Sequence, residues 1–170
     1  MKRKKHIFFR ELLLLMAFMP LMTLWSQTHI SDETGLRAIS NDLTGSYILD
    51  NDITLTGGDW IPVGTSTTAF TGTFDGNGKV VKNLTINQPG SNMIGMFGYA
   101  VGATIKNLGL ENASVIGQND AGGIVGRMGG STVNKCYYYG YVEGNDHVGA
   151  IVGGTQVDGS LQSTISNNYA

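Results

Sequence analysis

Two similar phrases carry residues with acid–base potential: Asp120 ends GQND (117–120), and Asp146 and His147 end GNDH (144–147). Stacked on one another, they would bring the carboxylates of Asp120 and Asp146 to one edge. Such a pair could hold a divalent cation or, with His147, polarise a water. Asn, Asp and Gly are equally the residues of solvated corner turns, and the turn is the preferred reading. No catalytic residue, metal site or cofactor is therefore assigned; Asp120 and Asp146 are the residues a metal would take.

FDGNGK (74–79) imitates the start of a calcium loop. Gly76 comes too early, Lys79 places a cation where a ligand is wanted, and no bidentate Glu follows. Asp-Gly and Asn-Gly are preferred where successive residues need φ > 0, so Asp75 to Gly78 reads as a turn. The histidines, His6, His29 and His147, are scattered, and no His-Glu-x-x-His occurs. The acids Asp50, Asp52, Asp75, Asp120, Asp146 and Asp158 fall mainly at expected turns. A polysaccharide-cleaving site needs acids clustered on one exposed strand face, so a carbohydrate-active enzyme is kept as the alternative only.

CYYYGY (136–141) alternates faces if extended. Tyr137, Tyr139 and Tyr141 are then candidates to face a ligand, since aromatic rings stack on sugars or anchor protein partners. Internal stacking down the coil is the preferred reading, because tyrosine is a good strand former. Cys136 is the single cysteine, which excludes a disulfide framework and fits a small buried residue. Asn83-Leu-Thr and Asn112-Ala-Ser match the glycosylation triplet but read as turn chemistry.

The elements that must position these residues begin with an export signal. MKRKKHIFFR precedes an apolar run, Leu12 to Leu24, shorter than the roughly 20 residues of a membrane span. Residues 1–26 are read as a signal peptide, leaving no membrane span. They carry five of the eleven Lys/Arg and one of the thirteen Asp/Glu, so the remainder has net charge −6. That charge offers no footprint for nucleic acid or an anionic membrane. Residues 27–45 are read as an N-terminal cap, with a helix over Ser31–Asn41 started by Ser31 or Asp32 and apolar at Leu36, Ile39 and Leu43.

From residue 46 to 170, short apolar runs alternate with Gly, Asn, Asp and Ser, a pattern of strands and turns. VIGQNDAGGIVG (115–126) recurs as VEGNDHVGAIVG (142–153), an offset of 27 without a gap, with a weaker copy at Ile94–Gly98. A second signature begins at Val81, Ile105, Val133 and Ile165, at offsets of 24, 28 and 32. A unit this short cannot bury its apolar face alone and must stack on neighbours. The expected fold is all-β, a right-handed parallel β-helix, with Leu84, Ile86, Leu108, Leu110, Ile124, Val125 and part of Ile151 inward. A propeller blade needs about 40 residues or more, so the period is too short for one.

GGIVG (122–126), GAIVG (149–153), NLGL (107–110), KCYYYG (135–140) and FDGNGK (74–79) resemble the GLUG repeat, over roughly residues 40–170. That repeat occurs in exported, adhesin-like bacterial proteins and in the non-catalytic part of some immunoglobulin-A-cleaving metallopeptidases. Lys135 departs from the asparagine at Asn83, Asn107 and Asn167, and Ala150 from the glycine at Gly123. The resemblance implies an exported, secreted or cell-surface module without catalysis, structural or adhesin-like, whose partner is a host or cell-surface protein or glycan. A non-catalytic piece of a larger secreted peptidase is the further alternative. The final coil reads as cut short, its open edge free to pair with another chain or with missing repeats.

Overall fold

The computed structural model describes residues 26–157 and 162–170. The signal-peptide reading and Asp158 lie outside them, except for Ser26.

Short β-branched and aromatic runs, too brief to pair with themselves, form parallel strands that stack coil upon coil. One sheet joins β1 (Thr28–Ile30), β2 (Ser46–Leu49), β4 (Thr73–Asp75), β8 (Thr104–Lys106), β12 (Thr132–Asn134) and β16 (Thr164–Ser166) in that spatial order. A second runs from β3 (Ile53–Thr54) through β5 (Val80–Lys82) and β9 (Gly109–Ile116) to β13 (Tyr137–Glu143), with β6 (Thr85–Asn87) also pairing β9. A third stacks β7 (Phe97–Val101), β11 (Val125–Gly129) and β15 (Val152–Gln156). A fourth pairs β10 (Asn119–Gly122) with β14 (Asp146–Gly149). The result is a parallel β-solenoid. The N-terminal segment 27–45 adds β1 to the expected helix, which is α-helical only over α1 (Glu33–Arg37) and continues as a 3-10 turn over Ala38–Asn41.

The core is a set of columns. Tyr47, Phe74, Ile105 and Val133 succeed one another in the first sheet. Ile53, Val81, Leu110 and Tyr138 do so in the second. Phe70, Phe97 and Phe74 meet ring to ring, at centroid distances of 4.9 and 5.4 Å. Leu84, Ile86, Leu108, Leu110, Ile124 and Val125 are fully buried; Ile151 is half-buried. The amphipathic cap closes the N-terminal end with Leu36 and Ile39. Glu33 locks it there by accepting the Thr56 and Gly57 amides at 2.8 and 3.0 Å and pairing with Arg37 at 2.8 Å. Arg37 in turn lies 5.4 Å over the buried Trp60 ring.

The 27-residue offset holds in the pairs Val125↔Val152 and Val115↔Val142. The offsets of 28 and 32 hold in Ile105↔Val133 and Val133↔Ile165. The offset of 24 does not. Val81 lies against Leu110, and Ile105 lies against Phe74. The coils turn through left-handed residues, mostly asparagine, at two different corners, and both corners carry the phrase apolar-Lys-Asn, at Val81–Asn83 and Ile105–Asn107. Asn83 (φ 62°) and Asn112 (φ 50°) occupy one corner; Asn107, Lys135 and Asn167 (φ 54°, 52° and 57°) occupy the other. Among the described residues no helix is long and apolar enough to cross a membrane.

Candidate functional site

The coil stack displays its polar and aromatic groups at two places, the corner at Asp120 and the outer face of β13. At the corner, β14 lies against β10 with Asp146 opposite Asn119 and Val148 opposite Ala121. Asp120 therefore stands level with His147, not Asp146, and this register corrects the expected pairing of carboxylates. Both residues take φ 52°, as Met93 takes 58° one coil earlier, so the backbone is left-handed at this corner in successive coils. The Asp120 side chain is only 4% exposed, and Arg127 Nη2 lies 2.7 Å from Oδ2. His147 Nδ1 is 3.4 Å from Asp120 Oδ1 and 3.6 Å from Asp146 Oδ2. A side chain at Gly154 would collide with the Asp120 carboxylate.

The cation that Asp120 holds is thus the guanidinium of its own chain. Asp146 remains exposed, and among the described residues no three His, Cys, Asp or Glu side chains are arranged to hold a metal. Asp120 and Asp146 sit within strands β10 and β14, although the sequence pattern suggested turns. Arg127 was not singled out from the sequence; its only signal is its place on β11, the next strand after Asp120.

Asp75 ends β4 and works as a turn-builder. Its Oδ1 accepts the Asn77 amide at 2.8 Å and Asn107 Nδ2 at 2.9 Å, while Lys106 Nζ lies 3.2 Å from Oδ2. Burial opposes its ionisation, but these donors hold the carboxyl below its usual range. Asn77 (φ 52°) and Gly78 (φ 72°) are the central residues of the turn that Lys79 N closes onto Gly76 O at 2.7 Å. Gly76 is needed for another reason: a Cβ there would lie 2.5 Å from Asn107 O.

Along β13 the side chains alternate. Tyr138 points inward and donates to Tyr141 O at 2.8 Å; burial raises its pKa. Tyr137, Tyr139 and Tyr141 point outward, past an irregularity in register between Tyr139 and Gly140. The Tyr137 ring covers Gly109 and stacks on Tyr169, with centroids 5.1 Å apart and planes 8° from parallel. Its hydroxyl donates to Glu111 Oε1 at 2.6 Å. Burial, then that carboxylate, pushes its pKa up to about 12. Tyr141 donates to Glu143 Oε2 at 2.7 Å, and Tyr139 is 75% exposed. Glu111 and Glu143, which orient these rings, were missed in the sequence. Their signal was positional, since Glu111 lies beside Tyr139 on the neighbouring strand and Glu143 is two residues beyond Tyr141. Cys136 is buried, and that burial pushes its thiol up to about 11, so it is a packing residue.

No family model matches this chain. It is 41% identical over 105 residues to Halomucin from Haloquadratum walsbyi, a match covering 61% of this chain and 1% of that protein. The chain therefore corresponds to a very small part of that curated relative. Among solved structures, it is similar to the crystal structure of a "putative immunoglobulin A1 protease" from Bacteroides ovatus. The TM-score is 0.45 and the identity 22%, over 86% of this chain and 66% of that one.

Proposed function

We propose that this chain is an exported repeat module of a secreted or cell-surface protein, structural or adhesin-like and non-catalytic, built of GLUG-type repeats. The observation that carries the proposal is the unbroken stacking of coils around one apolar interior. Short polar side chains such as Ser46, Thr73, Thr104, Thr132 and Thr164 align down one outer face. A stack of this kind gives a stiff scaffold whose faces present groups at fixed spacing. The likeness to Halomucin supports the same reading, because the matched stretch is one part in about a hundred of a much longer protein. The basic-then-apolar residues 1–26 supply the export signal in this reading. The partner would be a host or cell-surface protein or glycan. The exposed edge of β13 to β16 is a place for another coil or chain to pair.

Fractionation of the cells that make the protein tests the proposal. The expected result is a chain shortened by about residues 1–26, found in the envelope or the medium. A full-length chain confined to the cytoplasm would contradict it.

A further inference from the structure

The outer face of β13 concentrates exposed aromatic surface as no other described part of the molecule does. Tyr139, Tyr141 and Tyr169 are 75%, 55% and 67% exposed, and Tyr137 lies beside them, half-buried under Tyr169. Solvent-facing rings of this size are costly to display unless something covers them. Two of the rings are oriented: the hydroxyls of Tyr137 and Tyr141 donate to Glu111 and Glu143, so these two have less freedom to lose on binding.

The neighbouring coils supply neutral polar groups in register. Ser114 lies opposite Tyr141, with Thr85 beyond it in the same column. Asn112 and Asn83 stand exposed at the adjoining corner, the Asn112 amide donating to Asn83 Oδ1 at 2.8 Å. An open depression of ≈ 620 Å³ lies between Asn112, Ser114, Tyr139 and Tyr141, and is also lined by Tyr138, Ala150 and Ala170; none of the lining side chains is charged. The flanking carboxylates are already engaged: Glu111 with Tyr137 and, at 3.7 Å, Lys82; Glu143 with Tyr141.

We propose that this face is a binding platform for a neutral glycan. Pyranose rings offer apolar C–H faces to stack on tyrosine, and hydroxyls to pair with Asn112, Ser114 and the free lone pairs of Glu111 and Glu143. Charge selects against an acidic glycan, which would meet two carboxylates and a single lysine, Lys82 beside Glu111. The inference rests on reading the stack as a presenting module. A negative result here leaves that reading intact, because fractionation tests it separately.

The test titrates the full chain with xylan, mannan and mixed-linkage β-glucan, with heparin and oligolysine as charged probes, by affinity electrophoresis and calorimetry. Tyr139→Ala, Tyr139→Leu, Tyr141→Ala and Tyr139→Phe are compared, with Ile61→Ala, an equally exposed apolar residue outside the depression, as control, each with a thermal melt to establish that it folds. At least one neutral polysaccharide is expected to bind. Tyr139→Ala, Tyr139→Leu and Tyr141→Ala should weaken that binding tenfold or more, while Tyr139→Phe and Ile61→Ala keep it. Three results would overturn the proposal: no neutral polysaccharide binds, the alanine and leucine variants bind as the native chain does, or only heparin or oligolysine binds.

Discussion

The amide nitrogen of Asn112 donates to Asn83 Oδ1 at 2.8 Å, one coil away, and both residues hold left-handed backbone. Asparagine tolerates that conformation and joins one corner to the next, whereas a β-branched residue does neither. Asn112→Val should therefore cost about 2 kcal/mol, and Asn112→Gly no more than about 1 kcal/mol. Urea unfolding of the two variants beside the native chain makes the comparison. Equal stability of the two would show that this corner is not constrained.

Lys135 occupies the other corner with φ 52°, where neighbouring coils have Asn107 and Asn167. Its side chain is exposed, so replacing it loses little packing. Lys135→Asn is expected to raise stability by a few tenths to about 1 kcal/mol, read as a higher urea midpoint. A lower midpoint would mean that the lysine makes a contribution its backbone conformation does not reveal.

Arg127 compensates a carboxylate almost wholly withdrawn from water. Arg127→Met leaves Asp120 with only His147 nearby and is expected to destabilise by about 3 kcal/mol. Adding Asp120→Asn should recover part of that loss, because the buried charge is then gone. A double variant that loses the sum of the two single effects would refute the coupling.

Glu33 fastens the cap to the first coil, and the amides that it accepts have a consequence in acid. The hydrogen bond from the Thr56 amide, opposed by burial and aided by Arg37 and the Gly57 amide, lowers its pKa from 4.5 to about 2. The folded value is below the unfolded one. Its contribution is thus complete above about pH 4.5 and is lost as pH falls towards 2. Thermal melts across that window should show Glu33→Gln less stable than the native chain at neutral pH, with the gap narrowing as pH drops. A gap independent of pH would contradict this role.

Much of the fold was legible because stacking is a repeating constraint. The gapless 27-residue match, the Asn-Gly turn after Asp75 and the alternation of Tyr137 to Tyr141 each follow from short-range chemistry that the coils preserve. What was not legible lay where one local chemistry serves two places. The phrase ending in Asn83 resembles the one ending in Asn107, but the two turn different corners, and only the stacked backbone separates them. Val63-Gly64 is an earlier member of the series Phe97-Gly98, Val125-Gly126 and Val152-Gly153. It went unread because Pro62 and the loop that follows it disguise the match. At the candidate site, the alternation of Tyr137 to Tyr141 was visible, but internal stacking was the preferred reading and the alternation alone did not say which rings face outward. Arg127, Glu111 and Glu143 were not visible, since their partners come from register and side-chain reach that a linear pattern does not carry.

The central claim, that the coil stack is displayed outside the cell, is tested most directly by labelling intact cells with a membrane-impermeant maleimide. The protein carries Tyr139→Cys on its exposed face, and the native chain, whose one cysteine is the buried Cys136, is the control. The account expects the Tyr139→Cys protein to be labelled on unbroken cells and the native protein to stay unlabelled until it is denatured. Labelling of the variant only after lysis would contradict the claim.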